Sequence, residues 1–258
     1  MPDGSDPTVV ARLDLASGPA RPSALHEAIA LRHANRYAFD TARQLPTGTL
    51  EGLEGLNDAA DVKVFWFASP EERKGLGDLT IAATEAFVAD DEQSRDSNAW
   101  YRHDWDEIQQ ERDGMTLDAA GVTDLIRAVG KVLPETSRQQ NDETWLTVTR
   151  VKQVPTAAAF GIIAVRHARD DGQRVEAGRI WQRLHLSATT LGLAMQPLNQ
   201  INERADREEQ LGIAPQFGNA LKELLSDPAW QGVFTFRTGY PTEAATASPR
   251  RSVDEVVV

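Results

Sequence analysis

The feature that most constrains the fold of this chain is a long amphipathic helix expected in its C-terminal half. Apolar residues recur there at spacings of three and four, at Ala177, Ile180, Trp181, Leu184, Ala188, Leu191 and Met195. This spacing places them on one continuous helical face. Gly192 and Pro197 mark the region where the helix ends. We expect the stripe to be core and Trp181 to be a packing residue.

Other segments predict a mixture of helices and strands. Residues 62–68, 157–167 and 233–236 are rich in β-branched, aromatic or small apolar residues and are predicted to be strands. The alternating segment 10–15 predicts one more short strand. Helices are predicted over 23–36, from Pro46-Thr47, from Pro70 and over 216–225. Because helices predominate, we predict one α+β domain over residues 1–258, with helices packed on a small mixed sheet.

Two segments stand apart from this pattern. Residues 90–141 are polar, but Trp100, Tyr101 and Trp105 interrupt them. We predict short helices that form a cap or lid, and the alternative is an ordinary helical insertion. Residues 242–258 are predicted to be an extended C-terminal tail.

Composition excludes several classes of function. The chain contains no cysteine, which removes disulfides, thiolate metal sites and cysteine nucleophiles. Its net charge of −12 repels nucleic-acid phosphates at long range. No apolar run approaches the ~20 residues that span a bilayer. The polar, acidic start does not resemble a leader peptide, so we expect a cytoplasmic protein that binds neither nucleic acid nor membrane.

The common catalytic motifs are missing as well. The sequence has no phosphate-cradling P-loop, no Rossmann glycine triplet and no Gly-x-Ser-x-Gly elbow. Its histidines, at positions 26, 33, 103, 167 and 185, lack metal-ligand spacing. We therefore expect no metal site and name no catalytic side chain.

Clustered arginines are the best candidates for holding an anion in so acidic a chain. Arg32 and Arg36 are four residues apart, which places them on one side of the end of the predicted helix. Guanidinium groups suit a phosphate because each offers a planar fork of donors. The alternative is that both are cations favoured near a helix C-terminus. Arg250 and Arg251 form a second basic pair, which by itself is typical of a solvated tail.

Several segments together resemble the nitroreductase superfamily. Residues 31–39 (LRHANRYAF) are similar to its basic motif near the start of the domain. Residues 178–200 (GRIWQRLHLSATTLGLAMQPLNQ) resemble its long core helix and the turn that follows. Residues 237–257 resemble its terminal strand and basic tail. Residues 111–121 (ERDGMTLDAAG) further resemble the Acg-type branch from actinobacteria.

The resemblance implies that the chain binds FMN. Arg32 and Arg36 would contact the phosphate and ribityl chain, and Arg250 or Arg251 would supply a further phosphate ligand. The remaining cofactor contacts implied by the family pattern are Ala34, Asn35, Pro197, Leu198 and Asn199. Ala34 stands where many relatives have serine, and Asn35 follows the Acg-type pattern. Pro197, Leu198 and Asn199 would lie against the flavin ring, where Leu198 and Asn199 can offer backbone N–H groups and Pro197 cannot.

One departure concerns a further family motif, Pro-Ser followed by Asn-x-Gln-Pro-Trp, which lines the flavin from the other side. Here residues 57–60 lead directly into the strand predicted at 62–68. In Acg-type proteins that motif lies in an N-terminal half. The sequence is therefore expected to be a family member that lacks its first portion.

These observations predict an FMN-dependent oxidoreductase that takes hydride from NAD(P)H and passes it to a small nitroaromatic or quinone-type acceptor. One alternative is a flavin-sequestering protein without turnover, in which the cap excludes the nicotinamide. Another is a flavin-free remnant that acts as an interaction domain. A domain without its first portion should expose apolar surface, so we expect a homodimer or another association through that surface.

Overall fold

The computed structural model describes residues 9, 14, 16–130 and 134–257. Its α-helices are α1 (Ala24–Ala28), α2 (Thr49–Glu54), α3 (Pro70–Ala89), α4 (Asp91–Asn98), α5 (Trp105–Glu111), α6 (Asp124–Gly130), α7 (Arg138–Val148), α8 (Asp171–Thr190), α9 (Gln200–Leu211), α10 (Gln216–Leu225) and α11 (Val253–Val256). Its strands are β1 (Val62–Phe67), β2 (Tyr101–Arg102), β3 (Met115–Thr116), β4 (Ala159–Val165), β5 (Ala194–Pro197) and β6 (Gln231–Gly239). None of the helices in this described part is both long and apolar enough to span a membrane.

Four strands form the central sheet, in the order β1-β4-β6-β5. Each of its three pairings is antiparallel. The parallel pairing is found in a separate pair of two-residue strands, β2 and β3. Parallel and antiparallel pairs, which we expected in one mixed sheet, are thus divided between two sheets.

The core lies on both faces of the sheet, with β4 at its centre. All residues of β4 are buried. Because side chains alternate along a strand, Ile163 and Val165 face a cluster completed by α2 and α8, whereas Phe160 and Ile162 face a cluster completed by α3, α9 and α10. Burial on both faces explains why β4 has an uninterrupted apolar sequence.

The long helix is present as α8 and is shorter than predicted. Asp170 caps its first turn by accepting a hydrogen bond from the Gln173 N–H at 2.9 Å. The predicted stripe is buried at Ala177, Ile180, Leu184 and Ala188, and Trp181 is half-buried against the same cluster. Leu191 and Met195 lie beyond the helix. Gly192 takes a left-handed backbone conformation at φ +71°, and the chain then reverses into β5. Extending the helical face to Met195 was therefore wrong, because Met195 is buried in a strand.

The helix predicted over 23–36 is also wrong in its second half. α1 ends at Ala28, and residues 32–36 run without helical structure. The Asn35 N–H donates to the Met195 carbonyl at 3.1 Å, and the Asn35 Oδ1 accepts from the Tyr37 N–H at 3.0 Å. The first of these bonds ties the segment to β5, and the second fixes the backbone within the segment. The argument that Arg32 and Arg36 share one side of a helix end therefore fails.

The remaining elements were predicted with mixed success. β1, β4 and β6 occupy the three predicted strands, and α3 and α10 begin where expected. Short helices α4, α5 and α6 lie in the polar segment 90–141. β5 and α9 were not predicted. The strand expected over 10–15 lies almost wholly outside the described residues.

Candidate functional site

A cavity of about 270 Å³ lies between the β5–α9 turn and the segment that follows α4. This volume is close to the lower end of the roughly 300–1,000 Å³ that ligand pockets enclose. One side is formed by Arg36 and residues 196–200. The facing side is mainly apolar and includes Tyr101, Met115, Leu117, Ala120, Val122, Trp145 and Val148. Apolar walls with a few convergent polar groups are typical of sites for small planar ligands.

The β5–α9 turn is held in place by the neighbouring strand β6. Pro197 pairs with Phe236 at the end of β5, and the Asn199 Oδ1 accepts from the Thr235 N–H at 3.2 Å. The Leu198 N–H donates to the Thr235 carbonyl at 2.9 Å. The expectation that Leu198 offers this N–H to a ring is therefore wrong, because β6 already uses it. Asn199, whose N–H is the second donor predicted for this turn, lines the cavity.

Arg36 reaches the cavity from the extended segment after α1. Its guanidinium donates to the Ala119 carbonyl at 3.1 Å. Burial lowers the pKa of Arg36. Burial also raises the pKa of the nearby Tyr101, and the charge of Arg36 opposes that rise. The cavity thus contains a cation beside a phenol that stays protonated at neutral pH.

Gly121 allows the segment after α4 to approach Arg36 closely. Its φ is +70°, and a Cβ at this position would lie 2.5 Å from the Arg36 carbonyl carbon and 2.6 Å from its oxygen. Both the backbone conformation and the contact therefore require glycine. This glycine ends the 111–121 segment that resembles the Acg-type branch.

Two buried polar atoms on the cavity lack a hydrogen-bond partner among the described residues. One is the Thr116 Oγ1 in β3, and the other is the Gln200 Oε1 at the start of α9. Their residues are 1% and 3% exposed, respectively. Buried polar atoms are normally hydrogen-bonded, so these two atoms are exceptions among the residues that the structure describes.

Arg237 connects the cavity to the extended segment that contains Arg36 and Tyr37. This fully buried side chain donates to the Gln196 Oε1 at 2.7 Å and to the Tyr37 carbonyl at 2.6 Å. Its guanidinium also lies 3.8 Å from the centre of the Phe39 ring. Burial lowers the pKa of Arg237. The contacts fix both the Gln196 side chain and the backbone that follows Arg36.

A basic cluster surrounds Arg32. The Arg32 Nη1 lies 3.4 Å from the His185 Nδ1 of α8. Burial and then the charge of Arg250 lower the pKa of Arg32, and the same two causes lead the lowering for His33. The buried Arg32 Nε has no partner among the described residues. Positive charge of this kind in an acidic chain is suited to an anion.

Arg251 is directed away from this cluster. It donates to Asp113 at 2.8 Å, and Asp113 also accepts from the cavity-lining Arg102 at 2.8 Å. Nearby, Arg112 pairs with Glu255 of α11. The hydrogen bonds from the Ser252 hydroxyl and N–H, and then the bond from Arg112, lower the pKa of Glu255. The C-terminal tail therefore packs against the segment between α5 and β3.

The structure divides the predicted site residues into three groups. Arg36, Pro197, Leu198 and Asn199 line the cavity. Arg32 and Arg250 lie close together in the basic cluster. Ala34, Asn35 and Arg251 form the third group, which belongs neither to the cavity lining nor to the basic cluster.

For Asn35 the reason is physical. Its amide nitrogen donates to the Glu243 carbonyl at 2.8 Å, and its oxygen accepts from the Tyr37 N–H at 3.0 Å, so both ends of the side chain already bond the backbone.

Several cavity residues were missed from the sequence. Gln200 directly follows the predicted turn, and Thr116 lies in the 111–121 segment, so both were within reach of the argument. Gln153 lies in a π-helix at Thr149–Gln153, which no sequence pattern indicated. π-Helical turns are often found at functional sites.

Glu203 of α9 lies where the cavity meets a wider groove between α4 and α9. Glu203 is exposed at this groove as a whole residue, but desolvation of its carboxyl group raises its pKa, and the charge of Asp206 acts in the same direction. Within residues 16–130 and 134–257, no cluster of His, Asp and Glu side chains could hold a metal ion.

Comparison with known proteins assigns the fold. No protein-family model matches the sequence, and no curated protein gives a significant match. Among solved structures, the chain is similar to the FMN- and NADPH-dependent nitroreductase NfnB of Sphigopyxis sp. strain HMH, with 15% identity, a TM-score of 0.57 and coverage of 91% of this chain and 97% of that one.

Two further solved structures agree. A nitroreductase with bound FMN from Bacteroides fragilis has a TM-score of 0.53 at 15% identity, with 92% of this chain and 98% of that one covered. The FMN-dependent NfnB of Mycobacterium smegmatis, in complex with NADPH, has a TM-score of 0.53 at 15% identity, with 91% and 97% covered. The chain has the nitroreductase fold, which confirms the predicted fold class. The Acg-type branch and the missing first portion stay predictions.

Proposed function

We propose that this chain, which has the nitroreductase fold, is an FMN-dependent oxidoreductase that uses NAD(P)H. The observation that carries the proposal is the juxtaposition of an apolar cavity, lined by Arg36 and the β5–α9 turn, with the basic cluster of Arg32 and Arg250. FMN is a ligand with a flat ring at one end and a phosphate dianion at the other. The two features match the two ends of this ligand.

Arg32 and Arg250 would hold the phosphate. After burial, the charge of Arg250 is the cause that lowers the pKa of Arg32, so an anion bound between the two guanidinium groups would relieve this repulsion. The unpartnered Arg32 Nε is one of the donors that would turn to it. Residues 32–36 would follow the ribityl chain, since four residues of extended backbone span at most about 14 Å.

The ring would lie in the cavity between the β5–α9 turn and Met115, Leu117 and Val122 of the facing side. When bound, FMN supplies the hydride chemistry, and the protein supplies binding, orientation and electrostatics. The Asn199 N–H would orient the ring from the turn. Arg36 would stabilise negative charge on the ring edge that it faces, and the apolar wall would exclude water.

We propose a nitroaromatic or quinone-type compound as the electron acceptor. A flat acceptor suits the apolar walls, and it would reach the ring from the groove at Glu203. The carboxylates of Glu203 and Asp206 at this groove disfavour anionic acceptors. A neutral aromatic acceptor is therefore the preferred class.

A second candidate is a flavin-sequestering protein without turnover, and one observation favours it. Residues of the 90–141 segment, Tyr101 to Val122 among them, form most of one side of a cavity of only about 270 Å³. Such a cap leaves little room for a nicotinamide beside a flavin ring. Whether this segment opens as a lid decides between the two candidates.

The visible absorbance spectrum of the purified protein, with and without added FMN, is the first test. A yellow protein that oxidises NADH or NADPH and reduces a quinone supports the oxidoreductase. A yellow protein that oxidises neither nucleotide supports sequestration. A colourless protein that takes up no FMN contradicts both proposals and leaves the flavin-free interaction domain.

We also propose that two copies of the chain associate. Ile29 and Leu31 after α1 and Leu191 after α8 are 52%, 69% and 51% exposed, and α1 packs on α8. Exposed apolar side chains on two elements that pack together suit a protein–protein contact. Sedimentation velocity should give a dimer, and a clean monomer at micromolar concentration contradicts the association.

A further inference from the structure

Glu203 occupies the junction between the cavity and the groove that lies between α4 and α9. Of the acidic residues that the structure describes on the cavity and on the groove, Glu203 alone lines both. Its N–H donates to the Asn199 carbonyl at 3.0 Å, so it lies one helical turn beyond the β5–α9 turn. In the proposed complex, the ring lies against this turn and the acceptor enters from the groove. The Glu203 carboxyl group is therefore adjacent to both.

The central sheet holds the Glu203 carboxyl group in place through Asn199. The Asn199 Oδ1 accepts from the Thr235 N–H of β6 at 3.2 Å. This bond leaves the amide nitrogen of the same side chain to donate elsewhere. The Asn199 side chain donates to the Glu203 carboxyl group. The carboxyl group is thus attached to a strand of the core, although Glu203 lies on an open groove.

Charged and titratable groups surround this carboxyl group. Those on the groove are Glu92 and Asp96 of α4 and Asp206 and Arg207 of α9. Those on the cavity are Arg36, Tyr101, Arg102, His103 and Glu135. Glu203 forms no ion pair within the described ranges, and Arg207 is paired with Asp90 and Glu92 instead.

The surroundings of Glu203 favour its protonated form. Desolvation of the carboxyl group raises the pKa of Glu203, the Asn199 bond opposes this rise, and the charge of Asp206 adds to it. A carboxyl group of this kind holds its proton to a higher pH than an exposed glutamate does. A raised pKa brings a carboxyl group closer to the value that suits a general acid near neutral pH.

A quinone takes up two electrons and two hydrogens when it becomes a hydroquinone. One hydrogen arrives with both electrons as the hydride that reduced flavin supplies and NAD(P)H replaces, and the other arrives as a proton. We propose that Glu203 donates this proton from its carboxyl group to the oxygen of an acceptor bound in the groove. The new O–H bond on the acceptor replaces the O–H bond of Glu203. The carboxylate that remains takes up a proton from water in the groove.

This inference rests on the proposed function and adds a catalytic residue to it. The first test is Glu203→Gln, which keeps an oxygen to accept from Asn199 but has no acidic proton. It should slow the reduction of a 1,4-naphthoquinone, followed by stopped-flow reoxidation of the reduced flavin, about a hundredfold. The Kd for FMN and the rate of flavin reduction by NAD(P)H should be unchanged, since neither needs this proton.

The pH dependence separates a proton donor from a residue that only shapes the groove. In the wild type, quinone reduction should slow as the pH rises through the pKa of Glu203, because the acid is then lost. In Glu203→Gln this dependence should be absent. Asp206→Asn should move it to lower pH, because the like charge that raises the pKa of Glu203 is removed.

Glu209→Gln is the matched control for Asp206→Asn. Asp206 and Glu209 both pair with Arg169, at 2.9 and 2.5 Å, but Asp206 lines the groove and Glu209 does not. Glu209→Gln should therefore leave both the rate and the pH dependence of quinone reduction unchanged. An equal shift in the two variants would assign the effect to the loss of an Arg169 pair and overturn the inference.

A direct titration of Glu203 gives a readout besides activity. In the FMN-loaded protein labelled with ¹³C at the glutamate carboxyl groups, the NMR signal that Glu203→Gln removes identifies Glu203. It should titrate above the ordinary value of 4.5, and Asp206→Asn should lower its pKa. A carboxyl group that titrates at or below 4.5 overturns the inference.

The outcomes also separate this inference from the proposed function. If the wild type reduces the quinone and Glu203→Gln does so at the same rate and with the same pH dependence, the inference fails and the proposed function stands. If the wild type takes up no FMN or oxidises neither nucleotide, the proposed function fails and the inference fails with it.

Discussion

At the scale of single residues, His185 links the basic cluster to the core. It is 1% exposed, and its Nδ1 faces Arg32 while its ring also bonds the His33 backbone. Burial, and then the charge of Arg32, lower the pKa of His185 from 6.5 to about 4. The ring is thus neutral in the folded protein over a range in which an unfolded chain would take up a proton.

The sign of the pH effect follows from this shift. Since the folded pKa is lowered, the full stability is present above pH ~6.5 and is lost as the pH falls towards ~4. The shift corresponds to about 3 kcal/mol. Chemical denaturation at several pH values should show this loss. His33 also contributes to it, because burial and then the charge of Arg250 lower the pKa of His33.

The control for this prediction is a pair of variants. His185→Gln should flatten the dependence between pH ~4 and pH ~6.5, whereas His26→Gln, at an exposed position, should leave it unchanged. An equally steep dependence in His185→Gln would contradict the assignment.

The terminal arginines offer a second residue-scale prediction. Arg250→Ala should raise the Kd for FMN about tenfold or more, because a charged hydrogen bond contributes about 1.5–3 kcal/mol. Arg251→Ala is the matched control, since Arg251 is paired with Asp113 and should have little effect. Riboflavin, which lacks the phosphate, should bind the two variants alike. Equal loss of FMN binding in both variants would show that the tail acts as a whole.

Arg36 shows how far residue-level prediction from sequence could go. Its role as a site residue was inferred from a helical spacing that the structure does not have. It nevertheless lies on the cavity, because the bonds of Asn35 to β5 direct the extended chain there. Such bonds depend on the fold of distant residues, and no local pattern contains them.

At the scale of elements, the position of the segment after α4 depends on the close contact between Gly121 and the Arg36 backbone. Gly121→Ala should destabilise the protein by about 3 kcal/mol, from left-handed strain plus steric overlap. It should also weaken FMN binding, because the Arg36 backbone must shift. The measurement is urea unfolding together with the flavin titration.

Gly212→Ala is the matched control for this prediction. Gly212 has a similar φ of +63°, but a Cβ there would meet nothing within 4 Å. Gly212→Ala should lower the free energy of unfolding by about 1 kcal/mol and leave FMN binding normal. If both variants behave alike, the contact with Arg36 has no role.

The attachment of α4 to α9 is a second element-scale feature. The Asp90 carboxylate accepts from Arg207 at 2.9 Å and Arg204 at 3.0 Å, and all three side chains are at most 14% exposed. Arg207 is the main cause that lowers the pKa of Asp90.

Asp90→Asn keeps the cap of α4 but leaves both arginines without this charge, so it should cost about 3 kcal/mol in urea unfolding. Asp78→Asn, which breaks the exposed pair with Lys74, should cost less than about 1 kcal/mol. A small loss of unfolding free energy in both variants would show that the buried pairs of Asp90 with Arg204 and Arg207 do not stabilise the protein.

Sequence patterns predicted the elements that pack through a regular apolar face. β1, β4 and α8 bury continuous runs or stripes, so periodicity indicated them. β5 is short and follows α8 after a turn, so its Met195 matched the helical stripe by chance. α9 buries polar residues, including Arg204, Arg207 and Glu208, and therefore lacks an apolar face that could be recognised.

At the scale of the whole molecule, the charge distribution is the feature that composition could not locate. The chain has a net charge of −12, and its carboxylates are numerous at the groove beside the cavity. The basic cluster at Arg32 and Arg250 lies apart from them, where an anion can bind against the overall field. From the charge of the sequence we expected that an anionic ligand would have to be held by clustered arginines, and the fold brings Arg32 and Arg250 together from distant parts of the chain.

The most direct test of the account is a crystal structure of the protein saturated with FMN. The account predicts the phosphate within hydrogen-bond distance of Arg32 and Arg250, and the ring between the 196–200 turn and Thr116. A phosphate bound elsewhere, or a cavity that stays free of flavin at saturating concentration, would contradict it.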